Sequence, residues 1–276
     1  MEIIVADTQM DGNSMKSVVM ALSGGMDSTC LLMHYLARGY NAVCISYNYG
    51  QKHSIELERA KATISMCIDN GLSVSHHIVD LAPAMSLFDS ALTSKEQDVP
   101  LGHYEEDQMK QTVVPNRNAI FASILYGFAL SETKRTGENV VLALGVHSGD
   151  HAIYPDCRPE FYEALQHAFE IGNWDSERVD FDLPYLHGNK TSILQDAIES
   201  CNMLGFDFDV VLRNTITSYN PDSEGRSSGK SGSDIERILA FHEINRRDPI
   251  TYQDTWEKVL EHALLVESKH QAGGIQ

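Results

Sequence analysis

The sequence predicts a doubly wound α/β fold, a mainly parallel sheet with helices on both faces and a helical extension at the carboxyl end. Three observations predict it. Short runs of apolar residues alternate with amphipathic helical stretches along most of the chain. A glycine turn stands between the first apolar run and the first helix, where a phosphate-binding βα unit would place it. There is also no internal repeat that would suggest a solenoid or propeller.

Residues 17–22 read as a buried strand and 28–38 as the helix after its tight turn. Residues 42–47 and 74–80 read as further strands, with a helix from about 54 to 69 between them. Residues 117–134 have the apolar face of a long helix, and 140–144 the composition of another strand. Later helices are expected at 159–171 and 191–204. The stretch 86–111 is polar and without a clear period, so a surface excursion is expected there. Residues 221–233 are packed with Ser and Gly and have no means of forming a core. Residues 252–270 carry helical spacing at Trp256, Val259, Leu260, Ala263 and Leu264, an appended amphipathic helix. The expected division is a nucleotide-binding α/β domain over 1–213 and a C-terminal unit of Ser/Gly loop and helices over 214–276.

Composition narrows the function. Hydrophobic residues make up 42% and aromatics 8%, which suits a packed core. With 21 basic and 39 acidic residues, the formal charge of −18 disfavours nucleic acid and anionic membranes as partners. A small-molecule or protein substrate is expected instead. The first seven residues are short and acidic, unlike a secretory leader. The longest apolar stretch, 119–130, falls short of the roughly 20 residues that span a bilayer. Cys30, Cys44, Cys67, Cys157 and Cys201 are scattered without a C-x-x-C pair, as in a reduced, cytoplasmic chain.

The strongest chemical signal is Ser23-Gly24-Gly25-Met26-Asp27-Ser28. Two glycines let the backbone turn sharply and approach an anion. The helix that follows offers unpaired N–H groups and a positive dipole end to phosphate. The Ser23 and Ser28 hydroxyls can add hydrogen bonds. Asp27 cannot bind phosphate itself, so its carboxylate reads as a Mg²⁺ ligand or as an organiser of the loop. A second candidate, Gly225-Arg226-Ser227-Ser228-Gly229-Lys230-Ser231, imitates a P-loop but has three residues between its glycines rather than four, after a poor strand. It is rejected.

The Ser23–Ser28 loop resembles that of the PP-loop ATP pyrophosphatases, which have an adenine nucleotide alpha hydrolase-like fold. Further motifs resemble one family within them, QueC, the 7-cyano-7-deazaguanine synthases. These are Tyr49-Gly50-Gln51-Lys52-His53 with Glu56, Val114-Pro115-Asn116-Arg117-Asn118, and Gly145-Val146-His147 with Asp150. Tyr154-Pro155-Asp156-Cys157-Arg158-Pro159-Glu160-Phe161 follows, and Lys190 sits where that family has a phosphate-side lysine. The resemblance runs from about residue 17 to 252. It implies ATP and Mg²⁺ as cofactors. ATP would adenylate the carboxylate of 7-carboxy-7-deazaguanine, ammonia would displace AMP to give an amide, and a second activation would dehydrate the amide to a nitrile.

On this resemblance Ser23, Gly24, Gly25, Asp27, Ser28, Tyr49, Gln51 and Lys190 are candidates for holding ATP, with Asp27 on Mg²⁺. Arg117 and Arg158 are candidates for gripping phosphate or the substrate carboxylate, although each could equally form a surface salt bridge. Asn118, His53 and Glu56 are further substrate-side candidates; for Glu56 a solvated helix face is the plain alternative. His147 and Asp150 could hold or deprotonate the incoming amine. Asp156 could recognise guanine-like N–H groups, or cap the helix at 159–171. Cys157 reads as a packed thiol.

The chain departs from the family in one respect. The resemblance implies a zinc site of four cysteines, and those positions here are Ser218, Ser228, Ser231 and Asp234. Serine hydroxyls stay protonated at neutral pH and make poor zinc ligands, so no zinc is expected. Three readings follow: a nitrile synthase that has replaced its zinc, a diverged ligase, or a non-catalytic binding module. The ligase would pass the activated deazaguanine to an amine on a protein acceptor or other acceptor, as would suit anti-phage defence. The first reading stands ahead, and Asp27, Arg117, Asp150 and Lys190 count against the third. A homodimer is expected from the long helix at 119–130 and the appended C-terminal helix.

Overall fold

The computed structural model describes residues 3–5, 16–50, 55–88, 114–147, 155–218, 221–222 and 224–273. Gln51, His53 and Asp150 lie outside these, as does most of the expected excursion at 86–111.

Strand β2 (Ser17–Ala21) shows why the sheet is buried on both faces. Val18 and Met20 enter one apolar cluster and Val19 the other, the two-residue period of a strand covered on each side. Its parallel neighbours are β3 (Asn41–Asn48) and β5 (Val140–Ala143). Beyond them lie β4 (Val74–Asp80) and β6 (Val179–Asp182), also parallel. Strand β1 (Ile3–Val5) pairs antiparallel with β4 at one edge. The order is β1-β4-β3-β2-β5-β6, so the chain winds outward in both directions from β2. This is the doubly wound, mainly parallel sheet the sequence predicts.

On one face lie α1 (Met26–Ala37), α2 (Ile55–Asp69) and α6 (Lys190–Leu204), whose Leu31, Ile64 and Ile193 share a core. On the other lie α4 (Arg117–Thr136) and α5 (Pro159–Gly172), packed through Leu125 and Tyr162. A four-residue turn of helix, α3 (Ala82–Met85), follows β4. Helix α7 (Phe208–Arg213) links α6 to the carboxyl-terminal part, which holds α8 (Gly232–Glu243) and α9 (Trp256–Gly273).

That last part is fastened by a buried arginine. Arg237 is fully buried, and all five of its N–H groups are used. Nε and Nη2 hold Asp248 at 2.7 and 3.0 Å, and Nη1 reaches Thr215 and Thr217 at 2.7 and 2.9 Å. Nη2 also donates to the Leu212 carbonyl at 3.2 Å. Helix α9 buries Val259 and Ala263 against Ile235 and Ile238 of α8, and α8 sends Phe241 into the core of the sheet. Both helices that suggested a dimer thus spend most of their apolar stripe within the chain.

Among the described residues no helix is long and apolar enough to cross a membrane. All five cysteines are buried and unpaired with one another.

Candidate active site

The winding of the sheet leaves a crevice where the strand order reverses, between the carboxyl ends of β2 and β5. The loop Leu22–Gly25 leaves β2 on one side of it, and Leu144–His147 leaves β5 on the other. The candidate residues gather there.

Gly24 has φ +82°, and a Cβ at this position would collide with the Glu56 carbonyl at the start of α2. Glycine is therefore required both by conformation and by space. Helix α1 begins at Met26, two residues before the start expected from sequence, so Asp27 and Ser28 project from its first turn. Gly25 is its N-cap and supplies no side-chain hydrogen bond. The opening N–H groups of α1 consequently remain available to an anion. Helix α6 starts at the same site but is closed by a capping box between Asn189 and Ser192. Only the loop start among these two is left open. The two loop serines brace it, with Ser23 and Ser28 hydroxyls 3.0 Å apart and Gly25 N–H donating to Ser23 Oγ at 3.1 Å.

Lys190, the first residue of α6, is the centre of the site. It is 6% exposed, and its ammonium donates to His147 Nε2 at 2.9 Å and to Asp27 Oδ2 at 3.3 Å. It also forms an ion pair with Glu236 Oε2 of α8 at 3.3 Å. Accepting from an ammonium requires His147 to carry its proton on Nδ1. Burial alone would push the Asp27 carboxyl up, but the Lys190 ammonium beside it outweighs burial and holds it below its usual range. Asp27 Oδ1 is buried without a hydrogen-bond partner among the described residues. An ionised carboxylate with a bare oxygen at the mouth of an anion-binding loop fits a divalent cation.

A second group forms beside the crevice. Arg117 lies 5.9 Å over the ring of Tyr49, which follows β3. Asn116, just before it, has φ 60°, a left-handed conformation that Asn tolerates better than most residues and that turns the chain into α4. Asn118 donates to the Asp156 carbonyl at 3.5 Å and lies 3.8 Å from the Cys157 sulfur. Asp156 sits in a 3-10 turn, Pro155–Cys157, and does not cap α5; the N-cap is Arg158, which supplies no side-chain bond. That overturns the capping alternative. Arg158 is exposed, and Glu56 is half-buried in the first turn of α2, where its backbone abuts Gly24.

The structure therefore joins Ser23–Ser28, His147 and Lys190 in one cluster and Tyr49, Arg117, Asn118 and Asp156 in another. Glu236 was missed by the sequence reading. It lies in residues 235–241, a stretch that resembles the family's E-R-x-x-A-F, but its ion pair joins helices 46 residues apart in the chain, which the sequence does not reveal.

Three of the four positions expected of a zinc site, Ser228, Ser231 and Asp234, come together, but with other chemistry. Ser231 Oγ accepts the Asp234 N–H at 3.2 Å and so caps α8. Asp234 Oδ2 accepts from Gly229 N–H at 3.1 Å and Ser228 Oγ at 3.4 Å. Burial raises the Asp234 carboxyl, against the pull of those bonds and of Arg237. Ser218 is also buried. Hydroxyls and one carboxyl do not fit zinc.

The family described as "Queuosine biosynthesis protein QueC" matches residues 17–245. The 7-cyano-7-deazaguanine synthase of Marinomonas sp. (strain MWYL1) is 39% identical over 238 residues, covering 86% of this chain and 99% of the relative. The 7-cyano-7-deazaguanine synthase 1 of Colwellia psychrerythraea is 41% identical over 238 residues, with the same coverage. That of Methanoregula boonei is 41% identical over 235 residues, covering 85% and 98%.

Proposed function

The chain belongs to the QueC family, and on that premise we propose that it is an ATP-dependent ligase acting on the carboxylate of 7-carboxy-7-deazaguanine. In this reading ATP adenylates the acid and ammonia displaces AMP to give the amide; a second ATP adenylates the amide oxygen, which leaves with AMP as the nitrile forms. The observation that carries the reading is the convergence of Lys190, Asp27 and His147 at the open start of α1.

The chemistry asks for these residues. A carboxylate is a poor electrophile, and transfer to AMP gives it a good leaving group. Charge then builds on the departing pyrophosphate, where the N–H groups at the start of α1 and the Lys190 ammonium can stabilise it. Asp27 would hold Mg²⁺, which when bound supplies further charge neutralisation there. His147 orients Lys190 through Nε2. Arg117, beside Tyr49, is well placed at the strand ends to grip a carboxylate or phosphate. The net charge of −18 supports a small-molecule substrate over nucleic acid, and five cysteines joined by no disulfide support a cytoplasmic setting. The hydroxyls at Ser218, Ser228 and Ser231 support a fold that needs no zinc.

Mass spectrometry of the enzyme with ATP, Mg²⁺, the acid and ammonium tests this. The expected products are the amide and the nitrile, both lost in Asp27→Ala. AMP and pyrophosphate without either product would favour transfer to another amine, and no acid-dependent ATP turnover would refute the substrate.

A further inference from the structure

We propose that Glu236 is a positioning residue for Lys190, through which the carboxyl-terminal part of the chain enters the nucleotide site. This rests on the reading that Lys190 holds the pyrophosphate end of ATP.

Among the described residues the Lys190 ammonium donates to Asp27 and His147 and forms an ion pair with Glu236, and these three partners differ in what fixes them. Asp27 projects from the first turn of α1 and, like Glu236, is about a quarter exposed. His147 follows β5 on a loop. Glu236 alone stands within a helix that is tied at its start, beside Glu236 and at its end. Ser231 caps that helix, α8, at its start. The next residue, Arg237, is the buried arginine clamped to Asp248, Thr215 and Thr217. At the far end Glu243 accepts a hydrogen bond from the Thr191 hydroxyl. Lys190 and Thr191, consecutive residues opening α6, therefore both grip α8, seven residues apart along it.

When phosphate arrives, the ammonium must redirect a donor toward it. Asp27 is the partner that can let go, because a divalent cation accompanying the phosphate takes up its charge. Glu236 has no such replacement and stays, so the lysine keeps its place while exchanging one partner for another. A side chain held in its bound conformation loses less freedom on binding. The arrangement also links the two ends of the site: the segment that Arg237 fastens runs past the loop, where Ile216 N–H donates to the Gly24 carbonyl at 3.1 Å.

The test is calorimetric binding of inorganic pyrophosphate with Mg²⁺ to the full chain, in a double-mutant cycle of Glu236→Gln and Lys190→Ala. Glu236→Gln keeps shape and removes charge. It should weaken binding about tenfold in the wild-type background and less than about twofold in Lys190→Ala. Glu236→Asp, which keeps the charge but withdraws it by one methylene, should fall between. A Glu236→Gln protein that binds as well as wild type, or better, overturns the inference, as does an equal loss in both backgrounds. If wild type binds and Lys190→Ala does not weaken it, the reading of Lys190 falls instead. If wild type does not bind at all, both fall.

Discussion

A lysine taken out of water needs compensation, and Lys190 finds it in Asp27, His147 and Glu236. Two of those three partners were legible in the sequence, because each sits in a short motif at the end of a strand. Glu236 was legible only as part of a family-like stretch, without a site role, because its ion pair with Lys190 depends on how α6 and α8 pack. The same contrast holds elsewhere. Asp27 was read as a cation ligand from its place in a phosphate loop, and its bare buried oxygen suits that role. His76 carried no sequence signal, yet it is buried in β4 with Nε2 at 2.7 Å from the Ser46 hydroxyl, which itself donates to the Leu22 carbonyl. Burial first, then His77 and Lys61, push its pKa down to about 4. The folded chain resists protonating this ring, whereas the unfolded chain takes up the proton near pH 6.5. Stability is therefore lost as pH falls from about 6.5 toward 4, by up to about 3 kcal/mol from this residue. Chemical denaturation at pH 7.0, 6.0 and 5.0 should show that slope in wild type and a shallower one in His76→Gln. Equal slopes would place the effect elsewhere.

Most elements were legible because apolar period and length agreed with each other. Strand β4 was expected at the bounds observed, and the helices around it shifted by a residue or two. Strand β6 was missed: Val179–Asp182 is four residues with acids at alternate positions, too brief to establish a period. Helix α9 was legible from its spacing, but its destination was not. It lies beyond the residues 17–245 that the family shares and packs on α8 and on the Ser/Gly loop. Gly229 of that loop has φ +74°, and a Cβ there would stand 2.6 Å from Val259 Cγ1 of α9. Gly229→Ala should cost about 2–3 kcal/mol, from backbone conformation and overpacking together. Adding Val259→Ala should recover part of that loss, so thermal or denaturant unfolding of the double variant should fall short of the sum of the single ones. Strict additivity would mean that α9 does not dock where described.

At the scale of the whole molecule, function follows from one topological fact. The sheet winds outward from β2, and the loops after β2 and β5 face each other across the reversal. A glycine loop, an open helix start and a buried lysine converge on that crevice from different parts of the chain. Sequence could locate the crevice, since the loop motif directly follows an evident strand. It could not supply the ring of contacts around Lys190 or the hydrogen-bonded cluster at Asp234, which arise only when distant segments meet. The central claim is that this crevice breaks ATP between its α and β phosphates to activate a carboxylate. It is tested most directly by supplying 7-carboxy-7-deazaguanine labelled with ¹⁸O in the carboxylate and following the label by mass spectrometry. Attack of that carboxylate on the α-phosphate, followed by displacement by ammonia, must leave one labelled oxygen in AMP. Label in AMP is the predicted result; label in inorganic phosphate, with ADP as co-product, would contradict the account.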